Sequence, residues 1–362
     1  MKTSIQIGKI MGIPIRLHIT FLLILPVFAL IFANNPLNFG FSDVEPTILK
    51  YGLGMASAVL LFTCVLLHEL GHSYVALRYG SKIQSITLFL FGGVSSMEEI
   101  PRNPKIELKM ALAGPAVSLF IGSSLLVIHD LLNTGSSYFR LIWLIGYINI
   151  ILAIFNLIPA FPMDGGRVLR AVLAGKMSYI NATHTAAGVG KMFAIFMGIF
   201  GFLTVSTGGV WLILIAFFIY IGASEEDKST EINIKLEGLK IRDIMTKDVQ
   251  TVTPDMSVEE LVNLMFKSKH MGYPVANSSK LSGIVTFTDV RNVPKEDRHT
   301  TKVSQVMTKE LINLNEHEDV VTALKTMTIK NIGRIIVTDT DNDKMVGIVS
   351  RTDILRALQL RE

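Results

Sequence analysis

Long apolar stretches dominate the first 222 residues of the chain. Six of them approach the ~20 mostly apolar residues that a helix needs to cross the ~30 Å hydrocarbon core of a bilayer. They lie at residues 17–33, 53–77, 108–128, 141–161, 192–205 and 209–221. The last two are short and are separated by three residues, so they predict either a tight helical hairpin or one long bent span.

The pattern changes after this apolar region, where shorter motifs repeat at an offset of about 62 to 64 residues. Ile-Met-Thr at 244–246 aligns with Val-Met-Thr at 306–308, and Gly-Ile-Val-Thr at 283–286 aligns with Gly-Ile-Val-Ser at 347–350. Such internal similarity predicts two copies of one structural unit.

The residue pattern of each copy predicts the order strand, helix, strand, strand, helix. Residues 258–267 have the apolar spacing of a helix, and residues 281–287 have the composition of a strand. A unit of ~60 residues buries its core poorly when it stands alone. We therefore expect the two copies to pair into one soluble α/β domain.

Composition and charge divide the chain at the same place. Of its 362 residues 50% are hydrophobic and 18% are charged. Residues 1–224 hold 14 Lys/Arg and 8 Asp/Glu, whereas residues 225–362 hold 20 and 22. Soluble domains are typically about 25% charged. The division excludes a single soluble enzyme and a disordered chain, and the single cysteine excludes a disulfide scaffold.

The predicted fold is a polytopic α-helical membrane domain of about six transmembrane helices, followed by the soluble α/β domain. We place the membrane domain at residues 1–222 and a polar linker at 223–238. The soluble pair occupies 239–362, divided at about 239–296 and 300–362.

The distribution of Lys and Arg predicts the orientation in the membrane. With six spans, the N-terminus and the loops at 78–109 and 167–191 fall on one side and hold 12 of these residues. Lys50 and Arg140 are the two on the other side. The positive-inside rule then places both termini in the cytosol of a multi-pass cell-membrane protein. The basic surplus therefore calls for no nucleic-acid partner.

His68-Glu69-Leu70-Gly71-His72 lies inside the second apolar stretch. Residues four apart share one face of a helix, so both imidazoles can bind the same Zn²⁺ ion. Glu69 follows the first histidine and can take a proton from a metal-bound water. Ionisable side chains within a membrane span are costly and usually functional.

A catalytic zinc site has three protein ligands, and Asp164 is the candidate for the third. It follows Pro159 and Pro162, which break the fourth apolar stretch, and two glycines come after it. Irregular backbone at membrane depth is tolerated where it lines a cavity or is buried in protein. Asn156 comes eight residues earlier, about two helical turns, so its amide could face the same cavity.

Other interpretations remain open on these residues alone. The histidines and Asp164 could form a structural polar cluster, the ion pathway of a regulated transporter, or the remnant of an inactive scaffold. Glu69 distinguishes a catalytic zinc site from a transporter, because a transport site needs ligands but no adjacent base.

His68-Glu69-x-x-His72, together with Asn156-x-x-Pro159-x-x-Pro162-x-Asp164-Gly165-Gly166, resembles the site-2 protease family of intramembrane metalloproteases. The resemblance implies His68, His72 and Asp164 as ligands of one zinc, Glu69 as general base and Asn156 as a polar group near the scissile carbonyl. It implies regulated proteolysis of membrane-anchored protein substrates within or near their transmembrane segments. Ser118 departs from the family, which often has Asn there.

Residues 86–91 have strand composition and end at Gly92-Gly93. A helical substrate hides its peptide bonds, so it must be extended before cleavage. An edge strand here could bind the extended substrate by β-addition, with Phe91, Gly92 and Gly93 as candidate contacts. A re-entrant loop without substrate contact is the alternative.

The paired tail resembles a tandem cystathionine-β-synthase (CBS) domain pair, because Gly-x-x-Ser/Thr-x-x-Asp occurs in both copies. The resemblance implies an adenine nucleotide as regulator, with Thr286, Asp289, Ser350 and Asp353 as candidate contacts, and a homodimer formed through these domains. Alternatively, each Ser/Thr-x-x-Asp merely caps a helix.

Overall fold

A computed structural model describes residues 4–36, 39–89, 92–97, 102–132, 137–277, 280–339 and 344–361. The chain divides into two compact units, Met1–Thr230 and Glu231–Glu362.

Helices form most of the first unit. They are α1 (Ile19–Asn34), α2 (Thr47–Arg78), α3 (Pro104–Leu132), α4 (Ser137–Asn156), α5 (Asp164–Ala174), α6 (Tyr179–Leu203) and α7 (Val210–Lys235). Among the described residues, α2, α3, α6 and the part of α4 from Phe139 onward are long and apolar enough to cross a membrane. Helix α1 is shorter but also apolar.

The last two apolar stretches form a helical hairpin. A 3₁₀ turn at Val205–Thr207 and the left-handed Gly208 separate α6 from α7. The two helices pack closely, because a Cβ built on Gly198 would lie 3.6 Å from the Cβ of Ala216. The alternative of one long bent span is therefore wrong.

Some predicted boundaries shift. Helix α4 ends at Asn156 instead of continuing to residue 161, because the chain then turns through Pro159 and Pro162. Helix α6 begins at Tyr179, well before residue 192, and Ser178 caps it by accepting from the Asn181 amide.

The first unit also contains a four-stranded sheet in the order β1-β2-β3-β4. The strands are β1 (Ser4–Ile10), β2 (Ile13–His18), β3 (Ile83–Phe89) and β4 (Gly92–Met97). Strands β2 and β3 are parallel, and the other two pairs are antiparallel. The sequence analysis did not predict β1 or β2.

The pairing corrects the proposed edge strand. Strand β3 has neighbours on both sides and is an inner strand, whereas β4, which begins at Gly92, forms the edge. Phe91 lies outside the described residues.

The sheet packs on the helix that carries both histidines. Buried Ile13, Ile15 and Ile86 contact Leu66 and Leu70 of α2. These two leucines flank His68, so the sheet lies beside the metal-binding motif.

The second unit contains the repeats. Its first copy includes α8 (Ile241–Ile244), α9 (Val258–Ser268), β5 (Gly272–Asn277), β6 (Lys280–Thr286), α10 (Phe287–Arg291) and α11 (Val303–Val306), which leads into the second copy. That copy continues with β7 (Asn313–Asn315), α12 (Val320–Ile329), β8 (Arg334–Thr338), β9 (Met345–Ser350) and α13 (Arg351–Gln359).

The segment that begins each copy packs against the other copy. Thr246 and Ile348 donate to each other's carbonyls at 2.9 and 3.0 Å, and Thr308 and Ile284 repeat this arrangement at 2.9 Å. Ile241 is fully buried in the core of the second copy. Each core is therefore completed by residues from the other copy.

Candidate active site

Helix α2 places both histidines on its buried face. His68 and His72 are one turn apart, and they retain 4% and 5% of their exposed surface. Their ring centroids lie 4.8 Å apart, and the rings are nearly perpendicular. The spacing of four residues thus produces the shared face that the sequence predicts.

Asp164 reaches the histidines from a second helix. It is the first residue of α5, directly after the turn that contains Pro159 and Pro162. Its Oδ2 atom lies 3.2 Å from Nε2 of His68 and 3.1 Å from Nε2 of His72, and the two Nε2 atoms are 3.2 Å apart. Three donor atoms from two distant parts of the chain converge on one point.

The outer ring nitrogens have partners of their own. Nδ1 of His72 lies 2.7 Å from the Met110 carbonyl oxygen, which can only accept, so this nitrogen carries a proton. In a neutral imidazole, Nε2 then bears a lone pair directed at the carboxylate of Asp164 and at His68. Lone pairs that converge in this way favour a cation between them.

Ser118 has a similar relation to His68. Its buried hydroxyl oxygen lies 3.0 Å from Nδ1 of His68. Metal-binding histidines typically use the second ring nitrogen in such a contact, which fixes the orientation of the ring. Ser118, where the chain departs from the family pattern, thus contacts the candidate ligand His68. The sequence analysis did not predict this contact.

The donor set fits zinc. Donors bound at about 2.0–2.1 Å in a tetrahedron lie roughly 3.3–3.4 Å from one another. The separations of 3.1 to 3.2 Å are close to this value. Two imidazole nitrogens and one carboxylate oxygen leave a fourth position open, as in catalytic zinc sites.

Gly114 allows α3 to approach the site. A Cβ built at this position would overlap Nε2 of both His68 and His72. The sequence places Gly114 before a proline within an apolar stretch but does not show what it faces.

Glu69 lies under the edge strand of the sheet. A Cβ built on Gly93 would overlap the Cγ of Glu69, so the strand backbone passes directly over this side chain. One turn along α2, Ser73 contacts Ser95 of the same strand at 3.1 Å between hydroxyl oxygens. The strand that could bind a substrate therefore borders the candidate base.

Comparison with known proteins agrees with this geometry. The model of peptidase family M50 matches residues 56–135 and 130–199, and the CBS domain model matches 241–296 and 303–360. A zinc metalloprotease of Methanocaldococcus jannaschii is 40% identical over 362 residues, which cover 100% of this chain and 98% of that protein. The chain belongs to peptidase family M50.

A further relative and a solved structure are also similar to this M50 protein. Rip3 of Mycobacterium tuberculosis is 30% identical over 372 residues, covering 99% of this chain and 94% of its own. The solved structure of a site-2 protease from Methanocaldococcus jannaschii is 42% identical, covers 62% of this chain and 95% of that one, and has a TM-score of 0.46. The predicted family, a membrane-embedded metalloprotease with paired CBS domains, is confirmed.

Asn156 is not among the converging donors of this M50 site. It is the last residue of α4, and its Nδ2 donates to the Leu152 carbonyl at 2.9 Å. An amide NH₂ group has two hydrogens, so this bond leaves a second one that can donate.

In the CBS pair, the candidate nucleotide contacts bond to each other. The Thr286 amide and hydroxyl donate to Oδ2 of Asp289 at 2.8 and 2.7 Å. Ser350 donates in the same way to Asp353 at 2.9 and 2.6 Å. Both pairs form capping boxes at the starts of α10 and α13.

The second copy also brings Arg334, which the sequence analysis did not select, near Asp353. Nη1 of Arg334 donates to the Met271 carbonyl of the first copy at 3.0 Å. Burial lowers the pKa of Arg334, and the nearby Asp353 partly opposes this. A cation thus interacts electrostatically with one of the candidate nucleotide contacts.

Proposed function

We propose that His68, His72 and Asp164 bind one zinc ion, and that the protein hydrolyses peptide bonds within or near transmembrane segments of membrane-anchored substrates. The observation that carries this proposal is the convergence of two imidazole nitrogens and a carboxylate oxygen at 3.1 to 3.2 Å. The proton that the Met110 carbonyl fixes on Nδ1 of His72 supports it, because it leaves Nε2 as a ligand.

The catalytic step assigns a role to each nearby side chain. Zinc, when bound, would polarise the scissile carbonyl and acidify a water molecule. Glu69 is the base that accepts the proton of the attacking water and later delivers it to the leaving amine. Asn156 can donate its second amide hydrogen to the developing oxyanion.

The substrate would bind along β4 in an extended conformation. Gly92 and Gly93 begin this edge strand, and Gly93 lies against Glu69. An extended peptide added to the β4 edge of the sheet would bring its backbone close to the base. This arrangement favours β-addition over a loop that makes no substrate contact.

A conservative substitution of the base tests the proposal. We expect Glu69→Gln to reduce cleavage of a membrane-spanning reporter by about 10²- to 10⁴-fold, while zinc affinity stays unchanged because Glu69 is not a ligand. Purified full-length protein, with and without chelator, supplies both measurements. Glu45→Gln, at an exposed position, is the control. Cleavage unaffected by Glu69→Gln would overturn the proposal.

We infer further that both termini face the cytosol, where the CBS pair binds an adenine nucleotide and forms a homodimer. Supporting features are the asymmetry of Lys and Arg and the neighbourhood of Arg334 and Asp353. Calorimetry of residues 225–362 with ATP, ADP and AMP tests the nucleotide. Absence of heat with all three would leave dimerisation as the better role for the pair.

A further inference from the structure

Arg170 is an almost completely buried arginine on the helix that begins with the candidate metal ligand Asp164. It lies six residues after Asp164 on the same helix, α5, and retains 1% of its exposed surface. A buried charge is tolerated only when other groups pair with it and bond to it. Its partners come from four other parts of the first unit: α3, the turn before α5, the start of α6, and α7.

The first partner is Glu107 of α3, which is 0% exposed. Nε and Nη2 of Arg170 both approach Oε1 of Glu107, at 2.7 and 2.6 Å. Charge-assisted contacts of this kind are among the stronger hydrogen bonds in proteins and restrict the geometry of the guanidinium. Helix α3 also supplies Ser118 and the Met110 carbonyl, which contact the two histidines.

Two aromatic rings contact the same guanidinium. Its carbon lies 5.0 Å from the ring centroids of Phe161 and of Tyr179, within the range of cation–π attraction. Phe161 belongs to the turn between Asn156 and Asp164. Arg170 is therefore tied both to the helix that begins with Asp164 and to the turn that precedes it.

The last partner comes from α7. Nη1 of Arg170 donates to Oε1 of Glu226 at 2.6 Å. One turn earlier on α7, a Cβ built on Gly222 would lie 2.6 Å from Cδ of Pro162, so α7 also packs tightly against the turn before Asp164. Helix α7 thus contacts both α5, at Arg170, and the turn before it, at Pro162.

We propose that Arg170 is a positioning residue for Asp164, and that Glu107 of α3 and Glu226 of α7 hold its guanidinium in place. The inference rests on the proposed role of Asp164 as a zinc ligand. Because α7 continues to Lys235, beyond the boundary at Thr230, the helix that carries Glu226 is also the covalent connection to the CBS pair.

The neighbouring residue on α7 provides a matched control. Asp227 contacts Lys191 and His184 of α6, at 3.2 and 2.5 Å, rather than α5. Glu226→Ala and Asp227→Ala each remove one acidic side chain from the same turn of α7. Glu226→Ala leaves Nη1 of the buried Arg170 unpaired, and Asp227→Ala leaves Arg170 as it is.

Zinc affinity of the full-length protein, measured by competition with a chromophoric chelator, is the first readout. We expect Glu226→Ala to weaken zinc binding by up to about 10-fold, the lower end of the effect of losing a group that bonds directly to a ligand, because Glu226 acts through Arg170. Glu226→Gln, which keeps an acceptor, should restore most of the affinity. Asp227→Ala should bind zinc like the wild type. Melting temperature identifies any variant that fails to fold.

A second variant tests the same contact from the other side. Arg170→Lys keeps the charge but loses the planar fork that reaches both carboxylates. We expect the same loss of zinc affinity, and a fall in kcat with KM little changed, because the substrate strand is not affected.

Normal zinc binding by both Glu226→Ala and Arg170→Lys would overturn the proposal. An equal loss in Asp227→Ala would also overturn it, since the effect would then be general anchoring of α7. A wild type that binds zinc but cleaves nothing would contradict the proposed function alone, and the zinc comparison would still decide the role of Arg170.

Discussion

The membrane unit and the soluble unit each carry a short polar motif, and the two motifs use their side chains differently. In the membrane unit, His68 and His72 point away from their own helix toward Asp164, 92 residues or more along the chain. In the soluble unit, Ser350 and Asp353 bond to each other within one helix start. The first motif leaves donor atoms converging on an external point, whereas the second is satisfied internally.

This difference separates evidence for a ligand from evidence for local structure. Converging lone pairs in a buried site favour the binding of a cation. A capping box is stable by itself, so its presence agrees both with a nucleotide site and with a simple helix start. In the soluble unit, the contacts between distant residues are instead the apolar segments that each copy inserts into the core of the other.

The largest expected effect tests that exchange. Ile241 belongs to the first copy by sequence but is buried in the core of the second. We expect Ile241→Ala to destabilise the second copy by about 2–5 kcal/mol, measured by chemical denaturation or by hydrogen exchange of β8 and β9. Ile329→Ala, at a position that is 66% exposed on α12, is the control.

Protection lost only in the first copy would contradict the exchange. It would show that Ile241 stabilises its own copy instead of the second one.

Much of the membrane unit could be predicted because its signals are local. A helix places residues four apart on one face, so His68 and His72 were predictable as a pair. Asp164 was predictable because prolines break the preceding helix at membrane depth. Glu69 followed from its position beside the first histidine.

Other features depend on contacts that no local pattern records. Ser118 and the Met110 carbonyl contact the histidines only because α3 packs against α2. The start of α6 was missed because His184 and Lys191 interrupt its apolar pattern, although small buried residues such as Ala186 pack along it. Strands β1 and β2 could not be recognised from the sequence, because the apolar helix α1 follows β2 directly.

A substitution of intermediate effect tests whether the convergence in the membrane unit depends on its surroundings. Ser118→Ala removes the hydroxyl that contacts Nδ1 of His68, while the ligand itself remains. We expect zinc affinity of the full-length protein to fall about 10- to 100-fold. Ser123→Ala, on the same helix, removes a hydroxyl that bonds only within α3 in the described contacts and should have no effect.

Equal zinc affinity in Ser118→Ala and the wild type would mean that the protein scaffold orients His68 without this hydroxyl. The two units would then differ less than the geometry indicates, because only His72, through the Met110 carbonyl, would depend on a distant partner for its orientation.

The smallest expected effect decides what the internally satisfied motif does. Ser350→Ala removes the hydroxyl of the capping box before α13, and Ser257→Ala removes that of an equivalent box before α9, where Ser257 pairs with Glu260. Loss of either cap should destabilise the soluble unit by about 1 kcal/mol. If Ser350 also contacts a nucleotide, its substitution alone should weaken ATP binding, by about 2- to 10-fold for one hydrogen bond. Calorimetry combined with denaturation measures both quantities on the same two variants. Equal stability losses with unchanged ATP binding would assign Ser350 to capping alone and remove it from the proposed nucleotide site.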